Sequence, residues 1–190
     1  MSDNAPDADL EAMRRLSSGD DLALNGIMHR WRDKLAAYLY RSTGSHEAAC
    51  DLAQETFVKL YQSRHRYQPG APFSSYLFRI AANLARNHAR WRKRHPAVSI
   101  ESEEGHEADD LTDEAATPEE SLQAREQHQR IEKALASLPQ ELREPLHLFT
   151  YEEMNQADIA AALGCSVKAV ETRIYRARQM LRGLLDGEGS

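Results

Sequence analysis

The sequence has little of what most catalytic or secreted proteins are built on. Its 190 residues include 2 cysteines, Cys50 and Cys165, each alone in a helical pattern. A disulfide is open on paper, but the setting favours buried, small apolar roles, and neither thiol has metal-ligand neighbours. The 8 histidines show no metal spacing, and no nucleophile motif or phosphate loop is present, so nothing supports an enzyme, a metal or another cofactor. Proline (7) and glycine (9) are few and scattered, and no segment alternates as a strand would. No window approaches the ~18 apolar residues that span a bilayer. The start, "MSDNAPDADLEAMRR", is acidic and lacks the apolar core of a signal peptide, so the expectation is a cytoplasmic protein without membrane insertion.

What remains is helical. Runs of Ala, Leu, Glu, Arg and Gln carry apolar residues at intervals of three and four, and 41% apolar content is enough for packed cores. The expected fold class is all-α: two small helical domains joined by a flexible acidic linker, the C-terminal one containing a helix-turn-helix. The expected bounds are 1–96, 97–121 and 122–187.

The net charge of −6 hides a sorting of sign along the chain. Residues 1–55 hold 6 Lys/Arg against 10 Asp/Glu, 56–100 hold 9 against none, 101–124 none against 10, and 125–190 hold 9 against 10. A basic block of this kind hints at polyanion contact. The acidic block, "ESEEGHEADDLTDEAATPEES", has no aromatics and little aliphatic content with which to offset the entropy of ordering. It reads as a linker or as a solvated acidic loop.

In the N-terminal part, Asp9 to Leu16 predicts a short helix, and Leu22 to Tyr40 a longer one capped by Asp20 or Asp21. The long helix carries one stripe: Leu24, Ile27, Met28, Trp31, Leu35, Tyr38 and Leu39. Gly44 then reads as a C-cap and Ser45 as the N-cap of a third helix from His46 to about Arg64. There Ala49, Leu52, Ala53, Thr56, Phe57 and Leu60 make the buried face, leaving Asp51, Gln54, Glu55 and Lys59 outward. By itself such a cluster is ordinarily a solvated face. After "HRYQPGAP", the helix "FSSYLFRIAANLARNHARWRKRH" packs Phe73, Leu77, Ile80, Ala81 and Leu84 inward. Its second half interleaves Arg79, Arg86, Arg90, Arg92, Lys93 and Arg94 with the amides of Asn83 and Asn87. With the aromatics Tyr67, Tyr76 and Trp91 nearby, this supplies the phosphate attraction and stacking that single-stranded nucleic acid needs, unless it is a solvated basic end paired with the acidic block.

The C-terminal part predicts helices from Leu122 to Leu138, from "PQEL" to about Tyr151, over "NQADIAAALG", and over "CSVKAVETRIYRARQMLRGLL". The last two have helix-turn-helix spacing, with small Ala160 and Ala161 at the approach, Gly164 in the turn and Ser166 as cap. Val167, Val170, Ile174, Ala177 and Leu181 form the buried stripe. Ser166, Lys168, Ala169, Glu171, Thr172, Arg173 and Arg176 are left to meet a major groove.

These segments resemble, in order and over nearly the whole chain, the extracytoplasmic-function (ECF) sigma factors, small bacterial transcription initiation factors with two helical domains. "DLAQETFVKLY" resembles the helix that binds the clamp of RNA polymerase, which implies polymerase contacts for Asp51, Gln54, Glu55 and Lys59. "FSSYLFRIAANLARNHARWRKR" resembles the segment that melts and reads the −10 element. The resemblance implies −10 DNA contacts for Tyr67, Gln68, Asn83, Arg86, Asn87, Arg90 and Arg94, with the loop Tyr67 to Pro72 capturing a base flipped from the non-template strand. "LPQELREPLHLFTYEEMNQADIAAALGCSVKAVETRIYRARQML" resembles the −35-reading domain, which implies DNA contacts for Ser166, Lys168, Glu171, Thr172, Arg173 and Arg176. The implied partners are core RNA polymerase, promoter DNA and, as a candidate, an anti-sigma factor holding the two domains together. Tyr76 stands where the family often has Trp, Asn87 where it frequently has Asp, and Glu171 where it often has Lys or Arg. The competing reading is a stand-alone helix-turn-helix regulator with an N-terminal interaction module, which has no need of the basic-aromatic helix or the Asp-x-x-Gln-Glu face.

In position the acidic block matches the family segment that threads polymerase channels otherwise occupied by nucleic acid, and its ten carboxylates could mimic that polyanion. Neutralising them is expected to weaken holoenzyme assembly or alter abortive initiation, and no change in either measurement refutes the idea.

Overall fold

The computed structural model describes residues 5–95, apart from 69 and 71, and residues 118–187. Among these, every regular element is helical: α1 (Ala5–Ser17), α2 (Ala23–Thr43), α3 (His46–Gln62), a 3-10 turn (Arg64–Arg66), α4 (Phe73–Arg94), α5 (Pro118–Ser137), α6 (Gln140–Thr150), α7 (Gln156–Leu163) and α8 (Val167–Gly187). The acidic stretch before Pro118 lies outside the described residues, and α5 begins four residues ahead of the expected Leu122.

The corner between α2 and α3 follows its predicted chemistry. Gly44 sits at φ 71° and donates its N–H to the Tyr40 carbonyl, a left-handed conformation that costs a side-chain-bearing residue free energy. Ser45 then accepts a bond from the Ala48 N–H and opens α3. The six buried residues of α3 are those its spacing predicts. The start of α2 differs: Leu22 holds the cap position without a side-chain bond. Asp20 instead receives the Arg15 guanidinium at 2.6 Å and the Leu22 N–H at 3.2 Å, closing a turn ahead of the helix. Met28 is 37% exposed, outside the stripe assigned to it, whereas Ala23 is buried. Both cysteines are free and half-buried, more accessible than their pattern suggested.

In the first half, α2, α3 and α4 enclose Leu35, Tyr38, Leu39, Leu60, Leu77 and Phe78. In the second, α6, α7 and α8 enclose Leu148, Ile159, Val170 and Ala177. Val167, expected in the buried stripe of α8, is 44% exposed because it starts the helix beyond its neighbours' reach, and Ala162 rather than Ala161 is buried in α7.

The halves pack directly on each other, α4 against α7 and α2 against α6. Ala81, Ala82 and Ala85 of α4 are buried, as are Ala160 and Ala162 of α7, and side chains this small allow close helix approach. Ion pairs cross the same seam. Arg41 Nη2 donates to Glu152 Oε1 at 2.7 Å and its guanidinium lies 4.3 Å from the Tyr151 ring centre. Arg86 Nε stands 3.5 Å from Glu144 Oε2, and Arg143 donates to the Ser42 carbonyl at 3.4 Å. Burial raises the carboxyl pKa of both Glu144 and Glu152, opposed chiefly by Arg86 for the first and Arg41 for the second. Next to them His147 is 2% exposed, and neither ring nitrogen has a hydrogen-bond partner among the described residues. Burial first, then the charges of Arg41 and Arg143, push its pKa down to about 3.

His147 is therefore neutral in the packed state, while in the unfolded chain it binds a proton below about pH 6.5. Its contribution is present above that pH and is lost as pH falls towards 3, by up to roughly 1.4 kcal/mol per pH unit. Glu144 and Glu152, whose pKa values burial raises, act in the opposite sense: their cost to the packed state is relieved as pH falls through those raised values. Chemical denaturation of wild type between pH 7.5 and 5 is expected to show this slope and His147→Leu to flatten it; equal slopes contradict the assignment.

Candidate functional site

Three surfaces carry the residues singled out in the sequence. The first is the outer face of α3, where Asp51, Gln54, Glu55 and Lys59 are all exposed. They stand opposite the buried Leu52, Phe57 and Leu60, so the core that fixes α3 also fixes this face. Lys59 and Glu55 pair at 3.3 Å with both side chains about half exposed, a contact of small energetic weight. Val58, 53% exposed, adds an apolar spot among them.

The second surface is α4 with its preceding loop. Asn83, Asn87, Arg90 and Arg94 recur at intervals of four, three and four, and all four are exposed along one stripe. Arg90 Nη2 donates to Asn87 Oδ1 at 2.6 Å, and Arg94 Nε to the Arg90 carbonyl at 3.3 Å. Arg86, at the border of the stripe, is half-buried and committed to Glu144 across the seam. Trp91 and His95 stack at 4.9 Å near the exposed end of the helix. At the other end, the Tyr67 ring packs 5.3 Å from Tyr76 and 6.1 Å from Phe73, while Gln68 is exposed. Tyr76 in turn donates its hydroxyl to Ser63, with 2.8 Å to Oγ. The loop thus leaves and re-enters the fold through one aromatic cluster.

The third surface is the α7–α8 pair. Asn155 caps α7 by accepting the Asp158 N–H at 2.9 Å, and Gly164, at φ 67°, ends it. Ser166 Oγ accepts the Ala169 N–H at 3.2 Å and so starts α8. Lys168 Nζ donates to Glu171 Oε2 at 2.8 Å, which raises the lysine pKa. Thr172 is half-buried and donates its hydroxyl to the Lys168 carbonyl. Arg173 is also half-buried, with its charge felt by Glu144, whereas Arg176 is exposed. Of the six side chains expected to face a groove, Arg176 and the Lys168–Glu171 pair project freely.

Spacing alone does not reveal the charged residues that join the halves. Arg41, Glu144 and Glu152 sit in sequence contexts that read as solvated. Nor does spacing mark Asp9 as buried, although it is 2% exposed and bonded by two side chains of α2.

A bundle with an exposed acidic-polar helix face, a basic aromatic-flanked helix and a helix-turn-helix is the architecture of a transcription initiation factor. Residues 27–95 match the model of sigma-70 region 2 and residues 128–181 that of sigma-70 region 4. The RNA polymerase sigma-H factor of Pseudomonas aeruginosa is 30% identical over 176 residues, with 91% of each chain covered. The ECF RNA polymerase sigma-E factor of Escherichia coli is 31% identical, covering 89% of this chain and 90% of that one. Among solved structures, CnrH in complex with the cytosolic domain of CnrY superposes with a TM-score of 0.71 at 31% identity, over 96% of this chain and 99% of that one. The chain belongs to the ECF sigma factors of RNA polymerase. No described helix is long and apolar enough to cross a membrane.

Proposed function

We propose that this sigma factor divides its work among the three surfaces: α3 docks on polymerase, α4 and its loop take the −10 strand, and α8 reads the −35 groove. The observation that carries this reading is the exposed stripe Asn83, Asn87, Arg90 and Arg94, which continues from a loop framed by Tyr67, Phe73 and Tyr76. Arginines attract the phosphates of a strand, and a loop beside aromatic rings offers a place for an unstacked base. Extruding a base costs a few kcal/mol, which binding offsets, so melting requires no hydrolysis by this chain. The nearly balanced charge of residues 125–190 fits a domain that reads DNA with the help of polymerase.

The seam is a resting state on this reading. Promoter elements near −10 and −35 lie roughly 85 Å apart along B-form DNA, whereas a compact chain of this length has a radius of gyration of about 16 Å. Residues 96–117 can reach at most ~75 Å when extended. The two halves must therefore part before both elements are read together, and α4 and α7 exchange each other for solvent, polymerase or DNA. An anti-sigma factor that favours the packed arrangement would hold the chain inactive, in keeping with the partner-bound state of CnrH.

Reconstitution with core polymerase and transcript mapping is expected to show stimulated, promoter-specific initiation. Asp51→Arg and Glu55→Arg should weaken core binding by about tenfold or more each while leaving folding intact; specific DNA binding without polymerase, and no stimulated initiation, favours the stand-alone regulator instead. At the −35 element, Glu171 can accept a hydrogen bond from a cytosine amino group once it leaves Lys168. Selection from a randomised promoter pool is expected to return different −35 sequences for wild type and Glu171→Arg, and identical sequences count against this role.

A further inference from the structure

Among the described side chains of α1, Asp9 is a buried carboxylate, 2% exposed. Both its oxygens are occupied by α2. Arg30 donates from Nε and Nη2 to Oδ1 at 2.9 and 2.7 Å, and Trp31 donates from Nε1 to Oδ2 at 3.0 Å. Charge-assisted bonds of this kind are strong and directional, and the bond from the indole fixes the rotation of the Trp31 ring. Apolar contacts through Met13 and Leu16 already hold α1 on the fold, so anchoring the helix does not by itself call for a buried carboxylate.

The oriented ring leads to the loop between the 3-10 turn and α4. Trp31 packs 5.6 Å from Phe73 at an interplanar angle of 60° and 6.0 Å from Phe78 at 79°. Phe73 is the first residue of α4 and receives the edge of Tyr67, the first residue of the loop. Contacts therefore run from the carboxylate through one indole and one phenyl to both stems of the loop. Burial, and after it the Asp9 charge, raises the pKa of the Tyr67 phenol. A second tie comes from the same helix: Ser17 Oγ donates to the Arg64 carbonyl at 2.8 Å and holds the turn that precedes the loop.

We propose that Asp9 is a positioning residue for promoter melting: through Trp31 it fixes Phe73 and Tyr67, the two stems of the base-capture loop, in the arrangement that accepts the flipped base. This rests on the reading of that loop as the base-capture site. Trp31→Phe removes the indole donor and keeps an aromatic ring, and Asp9→Asn removes the charge and keeps the shape. Each is assembled with core polymerase and titrated with −10 DNA whose non-template strand is single-stranded, with an abasic site placed at each position in turn. For wild type one position should lose roughly tenfold or more in affinity when its base is removed, as expected for one stacked base. In both variants that loss should shrink to within about twofold, while core binding and affinity for the abasic strand stay within about twofold of wild type.

A variant that keeps the full abasic loss overturns the proposal. So does one that binds native and abasic strands equally more weakly than wild type does, since that is a general folding defect. Should wild type itself show no sensitive position, the base-capture reading falls and this inference falls with it.

Discussion

The register in which the two halves meet depends on burying carboxylates beside arginines. Glu144 and Glu152 leave water only because Arg86 and Arg41 meet them, and both carboxyls still have raised pKa values. A buried pair of this kind adds little net stability relative to an apolar contact, yet breaking it by removing one partner costs about 3–5 kcal/mol. It therefore fixes which surfaces meet more than how tightly they hold. The alanines of α4 and α7 supply the shape of the contact, and the ion pairs supply its register.

The seam includes a helix that is also proposed to meet DNA. α4 is held in place on one side by Leu77, Phe78 and Leu84 and presents Asn83 and Arg90 on another, and its Arg86 belongs to the seam. α8 has little redundancy in its polar groups: Ser166 and Thr172 are spent on the helix's own backbone, and Lys168 and Glu171 on each other. If α8 reads the −35 groove as proposed, discrimination among promoters rests on a small number of side chains that change partners on binding.

Much of this was legible in the sequence because local rules and burial agree. The Gly44–Ser45 corner, the buried face of α3, the Ser166 cap and the Gly164 turn each follow from residue chemistry acting over a few positions. Failures have two causes. Val167, the first residue of α8, and Met28, in the second turn of α2, keep the period of a stripe yet stand exposed, and Asp20 finds a nearer partner in Arg15 than the helix it could cap. Between the halves, hydropathy reports contact with water in one domain alone, so Arg41, Glu144, Glu152 and His147 carry no sign that another domain covers them. The roles proposed for the exposed faces come from resemblance, and the packing that covers part of them lies beyond any single-domain pattern.

The polar make-up of the seam has a further consequence under changing ionic strength. Ions weaken contacts between exposed arginines and phosphates steeply, through the counterions that DNA releases, but screen partly buried pairs far less. Arg41 is 23% and Glu152 5% exposed, whereas the Arg90 and Arg94 stripe stands in solvent. If the Arg90 and Arg94 stripe takes DNA as proposed, rising salt withdraws that competitor without equally loosening the contact between the halves. On that reading the packed form is the chain's own default, and the ionic environment sets how much polymerase and promoter must overcome to open it.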